Sequence, residues 1–128
     1  MAFIAKERTN AQYTVTLKYD DGTAVPKTDV TAFKVTLFCL DDDAQTTLNS
    51  RNAQDVYASG AWNLGVTIHA TSGLVTFLMT AADNAIVSTA TVVKRYERHR
   101  LIFDVTASSK RIVIQDEVLV ENTEKITT

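Results

Sequence analysis

The chain predicts an all-β fold, either an antiparallel sandwich or a Greek-key barrel, and three observations carry that expectation. Thr is the commonest residue with 19 copies, and 14 Val nearly match the Ala count. Branched side chains pack well on a pleated surface and lose rotamer freedom in a helix. About seven or eight apolar runs of strand length alternate with turn residues, and no stretch keeps a helical period. The longest runs, 93–107 and 111–121, flank the polar turn Ser108-Ser109-Lys110, as in a β-hairpin. Arms of this length are expected at the centre of a sheet.

At 128 residues the chain has the size of one domain. Residues 12–128 read as a single β domain, with residues 1–11 as a first strand or an arm. The hydrophobic fraction of 45% and charged fraction of 22% suit a globular protein and exclude disorder. A net charge of −2 and a pI near 5.6 argue against a dedicated nucleic-acid binder. The single cysteine, Cys39, rules out an intramolecular disulfide and a multi-cysteine zinc site. Within Thr36-Leu37-Phe38-Cys39-Leu40 it reads as a small buried hydrophobe, not a nucleophile. No apolar run approaches the roughly 18 residues of a membrane span. The start, Met-Ala-Phe-Ile-Ala-Lys-Glu-Arg, lacks a basic segment followed by an apolar core, so synthesis and folding in a cytoplasm are expected.

Taken in order, Phe3 and Ile4 form a small apolar group in the first segment. From 12 to 19, Tyr13, Val15, Leu17 and Tyr19 alternate with Thr14, Thr16 and Lys18, which predicts a strand with one wet face. Asp20-Asp21-Gly22 reads as a plain turn, because the carboxylate spacing of a calcium loop is missing. Residues 31–40 predict the next strand, with Phe33, Val35, Leu37 and Cys39 on one face and Phe38 and Leu40 partly covering the other. Asp41-Asp42-Asp43 ends it as a solvated loop. Residues 50–56 predict a helical turn in an irregular region. Trp62, flanked by Gly60 and Gly65, reads as folding back over the core in preference to standing out as a binding anchor. Residues 66–70 and 74–79 predict short strands around a tight Thr71-Ser72-Gly73 turn. Thr80-Ala81-Ala82-Asp83 fits a capping box with Asp in the last place, and Ile86-Val87 and Val92-Val93 lead into the long hairpin.

The one basic cluster is Lys94-Arg95-Tyr96-Glu97-Arg98-His99-Arg100. Strand alternation puts Lys94, Tyr96, Arg98 and Arg100 on one face and Arg95, Glu97, His99 and Leu101 on the other. Cross-strand pairing with Asp116, Glu117 and Glu121 makes a solvated, ion-paired strand the simplest reading. Protein contact through Arg98 and Arg100 comes next, and nucleic acid last. His69 and His99 are the only histidines. No nucleophile elbow, H-E-x-x-H or Cys-His pattern accompanies them, so no catalytic, cofactor-binding or metal-ligating residue is assigned and an enzyme is not expected.

Several segments carry a resemblance. They are Leu48-Asn49-Ser50-Arg51-Asn52-Ala53-Gln54-Asp55-Val56, then Val66-Thr67-Ile68-His69-Ala70-Thr71-Ser72-Gly73-Leu74-Val75-Thr76-Phe77. Thr80-Ala81-Ala82-Asp83, Glu97-Arg98-His99-Arg100-Leu101-Ile102-Phe103 and Glu117-Val118-Leu119-Val120-Glu121-Asn122 complete the set. Together they resemble small virion proteins of tailed bacteriophages, Ig-like β-sandwiches encoded among phage structural genes. They are similar in style to the N-terminal domains of baseplate upper proteins. The resemblance implies an antiparallel Ig-like sandwich of seven or eight strands with at most one or two short helical turns. Tyr96 resembles the tyrosine-corner residue of such sandwiches, whose phenol caps a nearby backbone group.

It also implies a non-enzymatic decoration (cement) protein on the outer capsid surface, with a neck, tail or baseplate component as the alternative. A small carbohydrate-binding module using Tyr57 and Trp62 is a further alternative. Expected partners are the major capsid protein, other virion proteins or further copies of the chain, with no nucleic acid, membrane or cofactor. The expected location is the virion, assembled in the host cytoplasm. Phe3, Ile4 and Trp62 are the candidate apolar anchors. Removal of residues 1–11, or Trp62→Ala, is expected to leave the fold intact and weaken particle binding.

Overall fold

Alternating branched and polar residues build two sheets whose apolar faces meet. The computed structural model describes residues 3–58, 61–88 and 95–122. The strands are β1 (Phe3–Lys6), β2 (Ala11–Thr16), β3 (Val30–Cys39), β4 (Gln54–Asp55), β5 (Tyr57–Ala58), β6 (Ala61–Trp62), β7 (Val66–Ile68), β8 (Leu74–Met79), β9 (Tyr96–Ala107) and β10 (Lys110–Glu121). One sheet runs β1-β10-β9-β3-β4 and the other β2-β8-β7, with β5 and β6 forming a small ribbon.

This order decides the fold. Strands β2, β8 and β7 take the B, E and D positions of an immunoglobulin domain, and β3, β9 and β10 take C, F and G. β4 extends the second sheet at its edge, and β1 lies parallel to β10. The protein is an Ig-like β-sandwich.

Among the described residues seven strands have three or more residues, in line with the expected count, and the two-residue strands β4, β5 and β6 add to it. The helical content among the described residues is a single 3₁₀ turn, Lys27–Asp29 after Pro26. It does not fall at 50–56, where a helical turn was expected. There Asn49, Ser50 and Ala53 have positive φ, so the backbone reverses direction in tight left-handed steps and enters β4. At 80–83 the expected box is half made. The Asp83 carboxylate accepts the Thr80 N–H (2.8 Å), but the chain turns instead of continuing as a helix.

The long hairpin sits where its length predicts. β9 is the middle strand of five, paired with β10 over twelve residues and with β3 along almost its whole length. Its turn residues Ser108 and Ser109 both have positive φ (48° and 63°), the requirement of a tight type I′ turn. At the 71–73 turn, Gly73 is obligatory: φ is +75°, and a Cβ there would lie 2.5 Å from the Leu17 carbonyl oxygen. Val92, Val93 and Lys94 lie outside the described residues.

Phe103 of β9 is the centre of the core. Its ring meets Phe33 of β3 (5.2 Å), Tyr13 of β2 (5.8 Å) and Phe77 of β8 (5.9 Å), all edge-to-face, so one side chain contacts both sheets. Leu17, Val35, Leu37, Val75, Leu101 and Val105 fill the space around it. Burying side chains of this size stabilises by about 1.5–3 kcal/mol each. The Tyr13 hydroxyl crosses between the sheets and donates to Asp116 Oδ2 (2.7 Å). Burial and that carboxylate both push the phenol's pKa up, so it stays a donor.

Residues 3–6 are part of the sandwich. Ala5 is buried, and the Phe3 ring stands edge-on to Tyr13 at 5.5 Å. Removal of residues 1–11 therefore takes away a strand and core contacts, and the expectation of an intact fold is corrected: the truncated chain loses stability.

Ser carries no special tolerance for positive φ, whereas Asn-Gly adopts this turn without strain. Ser108→Asn with Ser109→Gly is expected to raise stability by about 0.5–1 kcal/mol. A higher urea midpoint with an unchanged slope would show it.

Candidate functional site

The six candidate contact residues do not form one site. Three of them come together. In β1 the alternation turns Ile4 outward, 55% exposed, beside buried Ala5. Ile4 is level with Leu119 of β10, which is level with Arg98 of β9, so these three form one cross-strand row on the outer face of the five-stranded sheet. Arg100 belongs to the next row of that face, between Glu117 of β10 and Phe38 of β3. Both guanidinium groups are held. Arg98 donates from its backbone N–H and from Nε to Asp41 (2.7 and 2.9 Å), and Arg100 Nη1 donates to Gln115 Oε1 (2.9 Å).

The other three are elsewhere. Phe3 faces inward against Tyr13, so it is not an exposed anchor. Trp62 packs on Phe33 (5.5 Å, edge-to-face) and on Tyr57 (4.5 Å), and its buried indole Nε1 has no hydrogen-bond partner. The Trp62 ring thus covers one border of the core, as the sequence favoured. Its role as a contact anchor is corrected, and with it the expectation that Trp62→Ala spares the fold. Tyr57 and Trp62, the pair expected of a sugar platform, lean on each other at 35° between ring planes.

Sequence reading missed Leu119, Val113 and Phe38 on the outer face, and Asp41 beneath Arg98. The period-2 pattern of β10 would have placed Leu119 and Val113 outward with Gln115 and Glu117. The acidic loop is not simply solvated. Asp41 takes Arg98, and Asp42 caps the Thr46 N–H and hydroxyl (3.0 and 2.5 Å).

The larger correction concerns β9. Its alternation is as predicted, but the face carrying Glu97 and His99 is the core face, and both side chains are fully buried. Only the opposite face is solvated, and there Arg98 pairs with Asp41 and Arg100 bonds Gln115 in place of the expected Asp116, Glu117 and Glu121, with Asp116 turned inward to Tyr13. Glu97 Oε1 and Oε2 accept the N–H groups of Val87 and Ser88 (3.0 and 2.8 Å), and Oε1 lies 2.7 Å from His99 Nε2. The backbone-capping role expected of Tyr96 falls to Glu97, one residue on and on the inward face, while the Tyr96 ring lies under the Arg95 guanidinium at 5.5 Å. Cys39 is level with His99 on the neighbouring strand and is also fully buried. Burial pushes its thiol up to about 12, and the nearby Glu97 carboxylate adds to the rise, so a nucleophilic thiolate is disfavoured. His69, the other histidine, accepts the Thr71 and Ser72 N–H groups at Nδ1 and caps its own turn.

A second buried ionic group joins Arg51 to Asp83. Nε and Nη2 donate to the two carboxylate oxygens (2.5 and 3.1 Å), Nη1 donates to Gln54 Oε1 (2.8 Å), and Nη2 also reaches the Leu64 carbonyl (3.3 Å). Asn49 Nδ2 and the Thr80 N–H complete the shell of Asp83, and the guanidinium lies 4.6 Å above the Phe77 ring. Burial alone would raise the Asp83 carboxyl, but Arg51, Thr80 and Asn49 outweigh it and hold it below the usual carboxylate range.

No protein-family model matches the chain, and no curated protein does. A solved structure that it resembles is a chimeric titin Z1Z2-Z1Z2 tandem functionalised with a GRGDS peptide from fibronectin. The identity is 19%, the match covers 94% of this chain and 46% of that one, and the TM-score is 0.41. The Ig-like assignment rests on the strand order described above.

The buried pair gives a direct test. Removing one partner leaves an uncompensated charge, so Arg51→Met is expected to cost about 3–5 kcal/mol in chemical denaturation. Asp83 contributes stability in full above its ordinary pKa of 3.8, and the contribution is lost as pH falls through its depressed folded value. The wild-type urea midpoint should therefore drop more steeply below about pH 4 than that of Asp83→Asn.

Proposed function

We propose that this chain is a non-enzymatic structural protein of a tailed-phage virion, a decoration protein seated on the outer capsid through the outer face of its five-stranded sheet. The observation that carries the contact face is the adjacency of Ile4 and Leu119 to Arg98 and Arg100. Arginine is among the residue types enriched where proteins bind one another, and the two apolar side chains beside it offer area that a partner would remove from water. Asp41 and Gln115 already orient the guanidinium groups, which lowers the ordering cost of docking.

Two further features support the reading. Two ion pairs, Arg51 with Asp83 and Glu97 with His99, are enclosed, out of reach of a substrate in solution. Three of the four sheet-edge strands, β1, β4 and β7, have only two to four residues. Short edges resist edge-to-edge aggregation, as a protein displayed in many copies on a lattice must. The virion assignment itself rests on the resemblance of the segments between residues 48 and 122 to phage virion proteins.

Quantitative mass spectrometry of purified virions of the encoding phage tests it. Copies on the order of hundreds per particle are expected, since the capsid lattice repeats on that scale. Single or low double digits would transfer the protein to the neck, tail or baseplate, and none would overturn the virion reading. For the face itself, Ile4→Asp combined with Arg98→Gln, which puts no like charge beside Asp41, is expected to weaken binding to capsids lacking the protein by at least about tenfold while the far-ultraviolet circular dichroism stays that of the wild type. Undiminished binding would remove this face from consideration.

A further inference from the structure

Where β3 and β9 run side by side, three side chains with metal-ligating atoms converge beneath the surface. Cys39 and His99 are direct cross-strand partners, and Glu97 precedes His99 by two residues on the same inward face. One ligand atom from each, a sulfur, a ring nitrogen and a carboxylate oxygen, lies within 4.8 Å of the other two, and none of the three residues is exposed. The imidazole turns Nε2 toward Glu97, so Nε2 is the nitrogen it offers to the cluster, and Nδ1, on the other side of the ring, takes no part in it.

We infer that Cys39, Glu97 and His99 form an enclosed site for a thiolate-binding divalent cation of the zinc type. The donor set selects the class of ion. Sulfur and imidazole suit zinc and its spectroscopic substitute cobalt, whereas magnesium and calcium take oxygen shells. Donors around a tetrahedral zinc lie about 3.5 Å apart. For the ion to enter, the Glu97–His99 contact must open by somewhat under 1 Å and Cys39 Sγ must close on it. Binding displaces the thiol proton to solvent, so affinity rises with pH. The bound cation would fasten β3 to β9, and through Glu97 to the Val87–Ser88 backbone. This role is separate from the outer contact face, which is on the other side of the same sheet.

The test uses the full chain refolded with Co²⁺, because the site is closed in the folded protein. Cys39 is the only cysteine, so any sulfur-to-cobalt charge-transfer absorption reports this site alone. Expected are one cobalt per chain with that near-ultraviolet band, and a melting temperature that climbs with cobalt concentration. Cys39→Ala should keep the far-ultraviolet circular dichroism of the wild type and lose both signals. His99→Gln should weaken cobalt binding at least tenfold. Absence of the band at about 1 mM Co²⁺, far above the affinity of structural zinc sites, overturns the inference. A melting shift without the band also overturns it, because the metal is then bound elsewhere. So does a band that His99→Gln leaves at full affinity.

Discussion

A charge withdrawn from water must find its opposite and have its remaining hydrogen-bonding positions filled, or the chain will not close over it. At Arg51 and Asp83 that requirement organises the irregular third of the molecule. The Arg51 carbonyl accepts the Leu37 N–H at the border of β3, while its side chain reaches Asp83, Gln54 and Leu64 and lies over Phe77. The connection from β3 to β7 contains little regular strand and would otherwise be free to move over the surface. The corner after β8 is fixed by the same carboxylate, through Thr80 and Asn49. Both sheets are thereby coupled through an ionic contact at one end and through Phe103 in the middle.

The second buried acid works differently. Glu97 is on the central strand, and its carboxylate holds two successive backbone N–H groups of the segment that leads toward β9. An Ig-like sandwich needs a polar device at that corner because the chain crosses from one sheet to the other there. A carboxylate with two oxygens can hold two donors where a phenol holds one. With the core face of β9 committed to packing and capping, its outer face is left for arginines and other groups that meet solvent or a partner.

How far the sequence could be read follows from the range of the interactions. Strand β8 was legible to its ends, and β3 and the long hairpin nearly so, because alternation and turn residues are local signals. That Arg98 and Arg100 share a face was legible for the same reason. Alternation says which residues share a face but not which face is dry. The basic neighbours of Glu97 and His99 suggested water, and the outcome turned on Cys39, Leu101 and the sheet opposite. Arg51 and Asp83 are 32 positions apart, so neither local pattern announces the other. The helical turn expected at 50–56 failed because Asn49, Ser50 and Ala53 adopt left-handed backbone to bring Arg51 under the sheet. Phe3 and Trp62, expected as surface anchors, both complete the core instead.

The parallel pairing of β1 with β10 bears on how the molecule comes into being. Phe3 stands beside Val118 and Lys6 beside Glu121, so β1 finds its neighbour only after all the strands between them have been made. Until then Phe3 and Ala5 have no β10 to lie against, and the middle of the five-stranded sheet is itself waiting for the hairpin. Contacts this distant in sequence slow folding, since a long loop must close before they form. The hairpin thus acts as a latch. Structure before it is provisional, and its arrival sets both the register of the sheet and the place of the N-terminal strand in one step.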